Sequence, residues 1–387
     1  MTRFALCATR VFDGQHFLAR HAVVIEDGVI RDVLAQDRLN AAIQRVNLGN
    51  HILAPGFIDL QVNGGGGALL NDAPSVEVVQ RIAQAHRAFG TTAMLPTVIT
   101  DRLETVKQAV AAVRAAQQQG AANIIGVHIE GIYIDPSKRG AHPAEFIRPV
   151  ENATQMAAEL AWLKTADCGA MMFTISPTKM PSSIIADLVE AGIVISLGHS
   201  DATAEQALAA LHAGARGFTH LYNAMSPLTH RQPGMVGVAL SDRDSYCGII
   251  ADGHHVDPIA LKVAIAAKGP GKIVLVTDAM PTAAGGPDHF DLLGRRVTLR
   301  KDRLELPDGT LAGSNLTMDA ALRNTVAYLD VDLGEALRMA SLYPAGFINR
   351  DHDLGRIRPG HRASLVLLSN DLRVLGTWVD GVGGLHA

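Results

Sequence analysis

Residues 57–67 read FIDLQVNGGGG. The first six, Phe57 to Val62, form a nearly continuous apolar run, the texture of a strand buried on both faces. The run stops in four glycines, which predicts a tight, flexible turn between a strand and a helix. A phosphate cradle of the Walker type is excluded, because the stretch lacks the GxxxxGK[ST] spacing. Gln61 and Asn63 stand two residues apart at the C-terminal end of the run, so both point to the same side of the strand. Two histidines in that arrangement would suggest a metal site, whereas amides are poor ligands for zinc-like ions. The pair leaves two readings open: a metal site that was lost, or one that needs fewer ligands.

Seven comparable runs follow: TTAMLPTVI, NIIGVHI, GAMMFTIS, GIVISLGHS, GFTHLYN, YCGIIAD and KIVLVTDA. Several segments between them look helical and end in glycine, among them 76–90 and 204–214. Eight strand-then-helix units within about 290 residues predict an α/β fold with a (β/α)8 TIM-like barrel. After the eighth run, 281–290 is expected to be a mobile loop and 295–313 an inserted hairpin. Residues 317–329 and 334–348 read as amphipathic helices. Both chain ends have short-strand texture, and HAVVIEDGVIRDVL carries a hairpin signal at Glu26-Asp27-Gly28. The expected organisation is a barrel over 55–350 with a small β-sandwich domain formed by 1–54 and 351–387.

With 387 residues, 48% of them hydrophobic, the chain can bury a large core. A formal net charge of −4 gives no reason to expect nucleic acid or an anionic membrane as partner. Cys7, Cys168 and Cys247 are too few and too scattered for a disulfide framework, which fits a reducing compartment. The N-terminal apolar run is too short for a signal peptide, and no run approaches a membrane span. The expectation is a cytoplasmic protein.

Catalytic groups of such barrels sit at the C-terminal ends of the strands. Glu130 ends the third run, His199 the fifth, His220 lies in the sixth, Asp252, His254 and His255 follow the seventh, and Asp278 ends the eighth. Taken singly, each has an ordinary explanation: a hydrogen-bonded structural histidine, or an aspartate that caps a helix or a turn. Taken together, they could converge in one mouth. Glu130, His199 and His220 would supply the three protein ligands of a catalytic site for a borderline metal such as Zn²⁺. Asp278 would remain as a carboxylate to move protons. His16, His21, His51, His86, His212, His289, His361 and His386 lie in helices, turns or termini and read as solvated or locally bonded.

At these residues the sequence resembles the N-acetylglucosamine-6-phosphate deacetylase family of the amidohydrolase superfamily. PGFIDLQVNG, HIEG, KRGAHP, LGHSDAT, THLYNAM, RQPGMVG, IADGHHV, LVTDAM and LAGSNLTM occur in the family's order across essentially the whole chain. The resemblance implies Glu130, His199 and His220 as ligands of a divalent metal, Zn²⁺ or alternatively Fe²⁺ or Co²⁺. It implies Asp278 as acid/base and His142 as the group that polarises the acetyl carbonyl. It places Ala141, Asn223, Ala224, His255, Leu311, Ala312 and Gly313 on the substrate, a phosphorylated N-acetyl amino sugar. Arg231 would reach the phosphate across a homodimer interface. Gln61 and Asn63 would occupy the place of a second metal that some members hold, which implies one metal per chain here. Ile132 stands where the family often has proline, so the loop after HIEG is expected to differ. The galactosamine epimer, a deaminase activity and an inactive sugar-phosphate binding protein are the competing readings.

Overall fold

The computed structural model describes residues 3–149 and 152–386. Residues 1, 2 and 387 of the expected terminal segments, and 150–151 within the expected barrel, lie outside the described residues.

Among the described residues, the eight apolar runs become eight parallel strands in chain order. They are β1 (Phe57–Val62), β2 (Thr91–Ile99), β3 (Gly126–Glu130), β4 (Ala170–Ile175), β5 (Val194–Leu197), β6 (Gly217–Phe218), β7 (Tyr246–Ile249) and β8 (Ile273–Leu275). Every residue of β1, β2 and β3 is buried, as helix-covered parallel strands require. The ring closes just beyond β8, where Ala279 bridges Val62 in parallel register. Asp278 donates its N–H to Gln61 O at 2.9 Å and Asn63 donates to Ala279 O at 3.0 Å. That seam fixes Gln61, Asn63 and Asp278 beside one another.

The helices cover the strands as their sequences dictate. Ser75 caps Val76–Arg87, whose buried face is Val79, Ile82, Ala83 and His86. Thr203 and Gln206 form a capping box on Ala204–His212. The glycines that end these two segments, Gly90 and Gly214, have φ of 92° and 104°, the left-handed stop expected of them. The stretch 334–348 differs from the single helix its pattern predicts. It splits at Ser341 into Leu333–Ala340 and Leu342–Phe347. Pro344 fits the first turn of a new helix but not the interior of a continuous one.

Both chain ends meet in one mixed sheet, in which Ile52–Pro55 pairs antiparallel with Leu365–Leu368. Its core contains Leu6, Val11, Val23, Ile25, Leu53, Leu365 and Trp378. Asp27 and Gly28, with φ of 48° and 80°, make the predicted hairpin turn. The insertion after β8 is larger than a hairpin. His289–Leu292, Arg295–Arg300, Arg303–Glu305 and Leu311–Ser314 form a four-stranded antiparallel sheet. Its apolar face packs Phe290, Leu292, Val297, Leu304 and Ala312 onto Leu69, Ile99, Ala141 and Met280 at the barrel mouth.

The glycine turn after β1 is a packed seam. Gly64–Gly65 pairs with Ala68–Leu69, and the His86 ring nitrogen Nε2 lies 2.9 Å from Gly64 O. Gly66 and Gly67 donate to Ala283 O and Pro281 O, so the first half of 281–290 is tied down and Pro281–Ala283 is buried. A Cβ on Gly64 would overlap the Ala68 carbonyl and lie 2.9 Å from Pro281 Cδ. Gly64→Ala is therefore expected to destabilise the fold by about 1–3 kcal/mol, read as a lower denaturant midpoint. An unchanged midpoint would show that the seam is loose.

Candidate active site

Glu130, His199 and His220 converge at the C-terminal ends of β3, β5 and β6, all three buried. His220 Nε2 lies 2.9 Å from Glu130 Oε1 and 3.0 Å from His199 Nε2, and His199 Nε2 lies 3.3 Å from Glu130 Oε1. Two imidazole nitrogens and a carboxylate oxygen facing one point suit a borderline divalent cation. The His199 ring is oriented from behind by the Lys138 carbonyl, 2.9 Å from Nδ1, which turns Nε2 toward the cluster. His220 Nδ1 has no partner among the described residues.

The backbone is strained where these side chains turn inward. His199, His220 and Asp278 have φ of 46°, 34° and 53°, uncommon for residues with a Cβ. Ile132 has φ of 35°. Proline, locked near −65°, cannot adopt that conformation.

The opening stretch supplies what lies between the two carboxylates. Gln61 Nε2 donates to both Glu130 oxygens, at 3.0 and 3.1 Å, and to Asp278 Oδ1 at 3.1 Å. Asn63 Nδ2 donates to the same Asp278 oxygen at 2.6 Å. Two neutral amides thus hold two carboxylates together. Asp278 Oδ1 is saturated by them, which leaves Oδ2 for the cavity. Burial, then the negative charge of Glu130, pushes the Asp278 carboxyl up to about 6. For Glu130 burial acts upward as well, but hydrogen bonds from His199 and His220 override it and hold the carboxyl well below the ordinary range. His220 shows the reciprocal effect: burial lowers it, and the Glu130 partner raises it above its ordinary value.

His142 packs against His199 with ring centroids 4.4 Å apart. Burial, then the neighbouring His199, holds it well below the usual imidazole range, so it is neutral. Its backbone is pinned by Arg139, which donates to His142 O at 3.1 Å, and by Arg295 from the inserted sheet, which donates to Ala141 O.

These groups line a cavity of about 310 Å³, of small-molecule size. Ala141, Asn223, Ala224, His255, Leu311 and Gly313 line it as well. His255 is set by Asp252, whose Oδ2 lies 2.6 Å from Nδ1. The Asn223 side-chain amide is spent on the carbonyls of His220 and Leu221, at 3.1 and 3.3 Å. Ala312 is buried in the core of the inserted sheet and does not line the cavity. Arg231 is exposed and lies in a separate cleft with Asp201, Glu205 and Gln232.

Sequence reasoning missed the layer beneath. Asp59 and His128 stand two residues before Gln61 and Glu130, so the strand period aims them into the barrel interior. Asp59 accepts from Thr277 Oγ1 at 2.5 Å and from the N–H groups of Gln61 and Thr277, each at 3.2 Å. His128 contacts Thr174 at 2.7 Å and Thr97 at 3.3 Å. Burial pushes Asp59 up to about 7 and His128 down to about 4, so His128 is neutral and Asp59 takes up a proton far more readily than an ordinary carboxylate. The period-two spacing was the available signal for both.

A TIM-like barrel with a Glu-His-His cluster and an aspartate at its mouth defines a hydrolase of the amidohydrolase type. Residues 52–382 match the amidohydrolase family and residues 3–53 match the NagA composite domain. The chain is 42% identical over 366 residues to an N-acetylgalactosamine-6-phosphate deacetylase of Shewanella sp. (strain ANA-3), covering 93% of this chain and 90% of the relative. It superposes on the structure of N-acetylglucosamine-6-phosphate deacetylase from Pasteurella multocida with a TM-score of 0.94, 35% identity, and coverage of 99% and 100% of the two chains. A Mycobacterium smegmatis N-acetyl-D-glucosamine-6-phosphate deacetylase mutant in complex with N-acetyl-D-glucosamine-6-phosphate matches with a TM-score of 0.91 and 29% identity, over 100% of both chains. The chain belongs to the amidohydrolase family, as an amino-sugar-6-phosphate deacetylase of its NagA branch. Among the described residues no helix is long and apolar enough to cross a membrane.

Proposed function

We propose that the chain hydrolyses N-acetyl-D-glucosamine 6-phosphate to D-glucosamine 6-phosphate and acetate. The observation that carries this reading is the meeting of Glu130, His199, His220 and Asp278 on one small cavity. Glu130, His199 and His220 would hold one divalent cation, Zn²⁺ by preference, with Fe²⁺ or Co²⁺ accepting the same donors. Such an ion supplies Lewis-acid chemistry, polarising a carbonyl and making water acidic. Asp278 Oδ2, free toward the cavity, takes the proton of the attacking water. It returns that proton to the amide nitrogen, because an amine leaves and an amide anion does not. A carboxyl pushed up to about 6 is suited to both transfers. His142 donates a hydrogen bond to the acetyl oxygen as negative charge builds there.

The sugar lies along Ala141, Leu311 and Gly313, and its phosphate meets the Asn223–Ala224 turn, where the Ala224 N–H has no protein acceptor among the described residues. His255 and an Arg231 from a second copy of the chain complete the phosphate grip. The exposure of Arg231 outside its own cavity supports that dimer. Arg231→Ala is expected to raise KM for the phosphorylated sugar about 10–100-fold, the worth of one charged hydrogen bond, with metal content unchanged. A KM within twofold of the parent would remove Arg231 from the site. Gln61 and Asn63 already occupy the ground a second cation would need, which supports one metal per chain.

The galacto epimer is the second reading, favoured by the 42% identity to an N-acetylgalactosamine-6-phosphate deacetylase. Side-by-side kcat/KM values on the two acetylated sugar phosphates decide between them. A higher value for the galacto compound reverses the proposal, and no acetate from either would leave a binding protein.

A further inference from the structure

We infer that Thr100 is a positioning residue that holds His142 as the tautomer protonated on Nε2, the form that can donate a hydrogen bond to the substrate's acetyl oxygen. The inference rests on the role proposed above for His142.

Thr100 follows the last residue of β2 and is fully buried. Its Oγ1 lies 2.8 Å from His142 Nδ1. A neutral imidazole has one N–H and one bare nitrogen, so two arrangements fit that distance. Either the hydroxyl donates to a bare Nδ1, or a protonated Nδ1 donates to the hydroxyl oxygen. The second leaves the threonine O–H in need of another acceptor. Among the described residues Thr100 Oγ1 has none, whereas buried Thr97, Thr277 and Thr325 each reach a carbonyl or carboxylate. Burying an O–H without an acceptor is costly. The first arrangement satisfies every group, and it puts the ring proton on Nε2. Among the described residues the ring's one hydrogen bond is the one through Nδ1, and the ring lines the cavity.

Two further features of the chain serve this contact. Gly131 has φ of 101°, and a Cβ there would overlap Thr100 Oγ1 and lie 3.5 Å from His142 Nδ1. The glycine of HIEG therefore makes room for the threonine. The end of β2 is also held from outside: Asn71 accepts from Ile99 N at 3.0 Å, donates to Ile99 O at 3.2 Å, and is itself fixed by Asp101 at 3.0 Å. With Arg139 and Arg295 pinning the loop of His142, both ends of the Thr100–His142 bond are anchored independently.

The test compares Thr100→Val, which keeps the shape and removes the hydroxyl, with Thr100→Ser, which keeps the hydroxyl. Losing one oriented oxyanion donor costs about 10²–10³ in kcat. Thr100→Val is thus expected to lower kcat by about 10²-fold, with KM and metal content near the parent values, and Thr100→Ser is expected to recover most of it. A Thr100→Val kcat within threefold of the parent, or a serine variant as impaired as the valine one, overturns the inference. A second measurement does not depend on activity or on the valine variant folding. Long-range ¹H–¹⁵N correlation of the histidine rings in the zinc-loaded parent, with His142 assigned by its loss in His142→Gln, should show a proton on Nε2. A proton on Nδ1 overturns the inference even if deacetylation is confirmed. A parent protein that releases no acetate defeats the proposed function and leaves the tautomer measurement standing.

Discussion

Asp278→Asn is expected to lower kcat by about 10³–10⁴-fold while the protein keeps its cation, because the change removes the carboxylate proposed to take the proton of the attacking water. An asparagine there can still accept from Asn63 and Gln61 through Oδ1, so the constellation should survive. What faces the cavity is then an NH₂ group, which takes no proton from water. The pH dependence follows the same group. As a base Asp278 must be ionised, so kcat/KM of the parent falls as pH drops through its pKa. Burial and the Glu130 charge set that pKa at about 6 without a cation. A bound cation stabilises the ionised form, so the acid limb should lie at or below that value. An Asp278→Asn protein with near-parent kcat, or with the same acid limb, contradicts the acid/base assignment.

Glu130→Gln is expected to abolish activity by a different route, through loss of the cation. Glu130 is the hub of the cluster: its Oε1 faces both His199 and His220, and Gln61 Nε2 spans its two oxygens. A neutral amide weakens the ligand set. It also turns a donor toward Gln61 Nε2, a donor itself, which leaves two buried N–H groups facing one another. Metal content after dialysis should fall well below one ion per chain, and acetate release should fall with it. Full metal retention in Glu130→Gln would mean that the ion sits elsewhere.

Much of this was legible in the sequence because β1 to β8 are buried on both faces and read as unbroken apolar runs. Strand ends could therefore be placed, and with them Glu130, His199, His220 and Asp278. The inserted sheet was read as one hairpin because its outer strands, His289–Leu292 and Leu311–Ser314, are only four residues long, too short for their alternation to stand out in the sequence. Ala312 was counted among the substrate-facing residues with its neighbours, yet strand alternation turns it into the apolar core. Thr100 carried no signal at all: a threonine at the end of an apolar strand is ordinary, and its partner lies 42 residues away. Gln61 and Asn63 could be read as placeholders, but not as donors to both carboxylates, since that depends on the closure of β1 against β8.

The most direct measurement adds Zn²⁺ in steps to metal-free protein and follows acetate release from N-acetyl-D-glucosamine 6-phosphate and its galacto epimer. Activity should rise linearly and stop rising at one equivalent per chain, with the gluco compound the better substrate. A break at two equivalents, or no acetate from either sugar at any loading, would contradict a one-ion deacetylase.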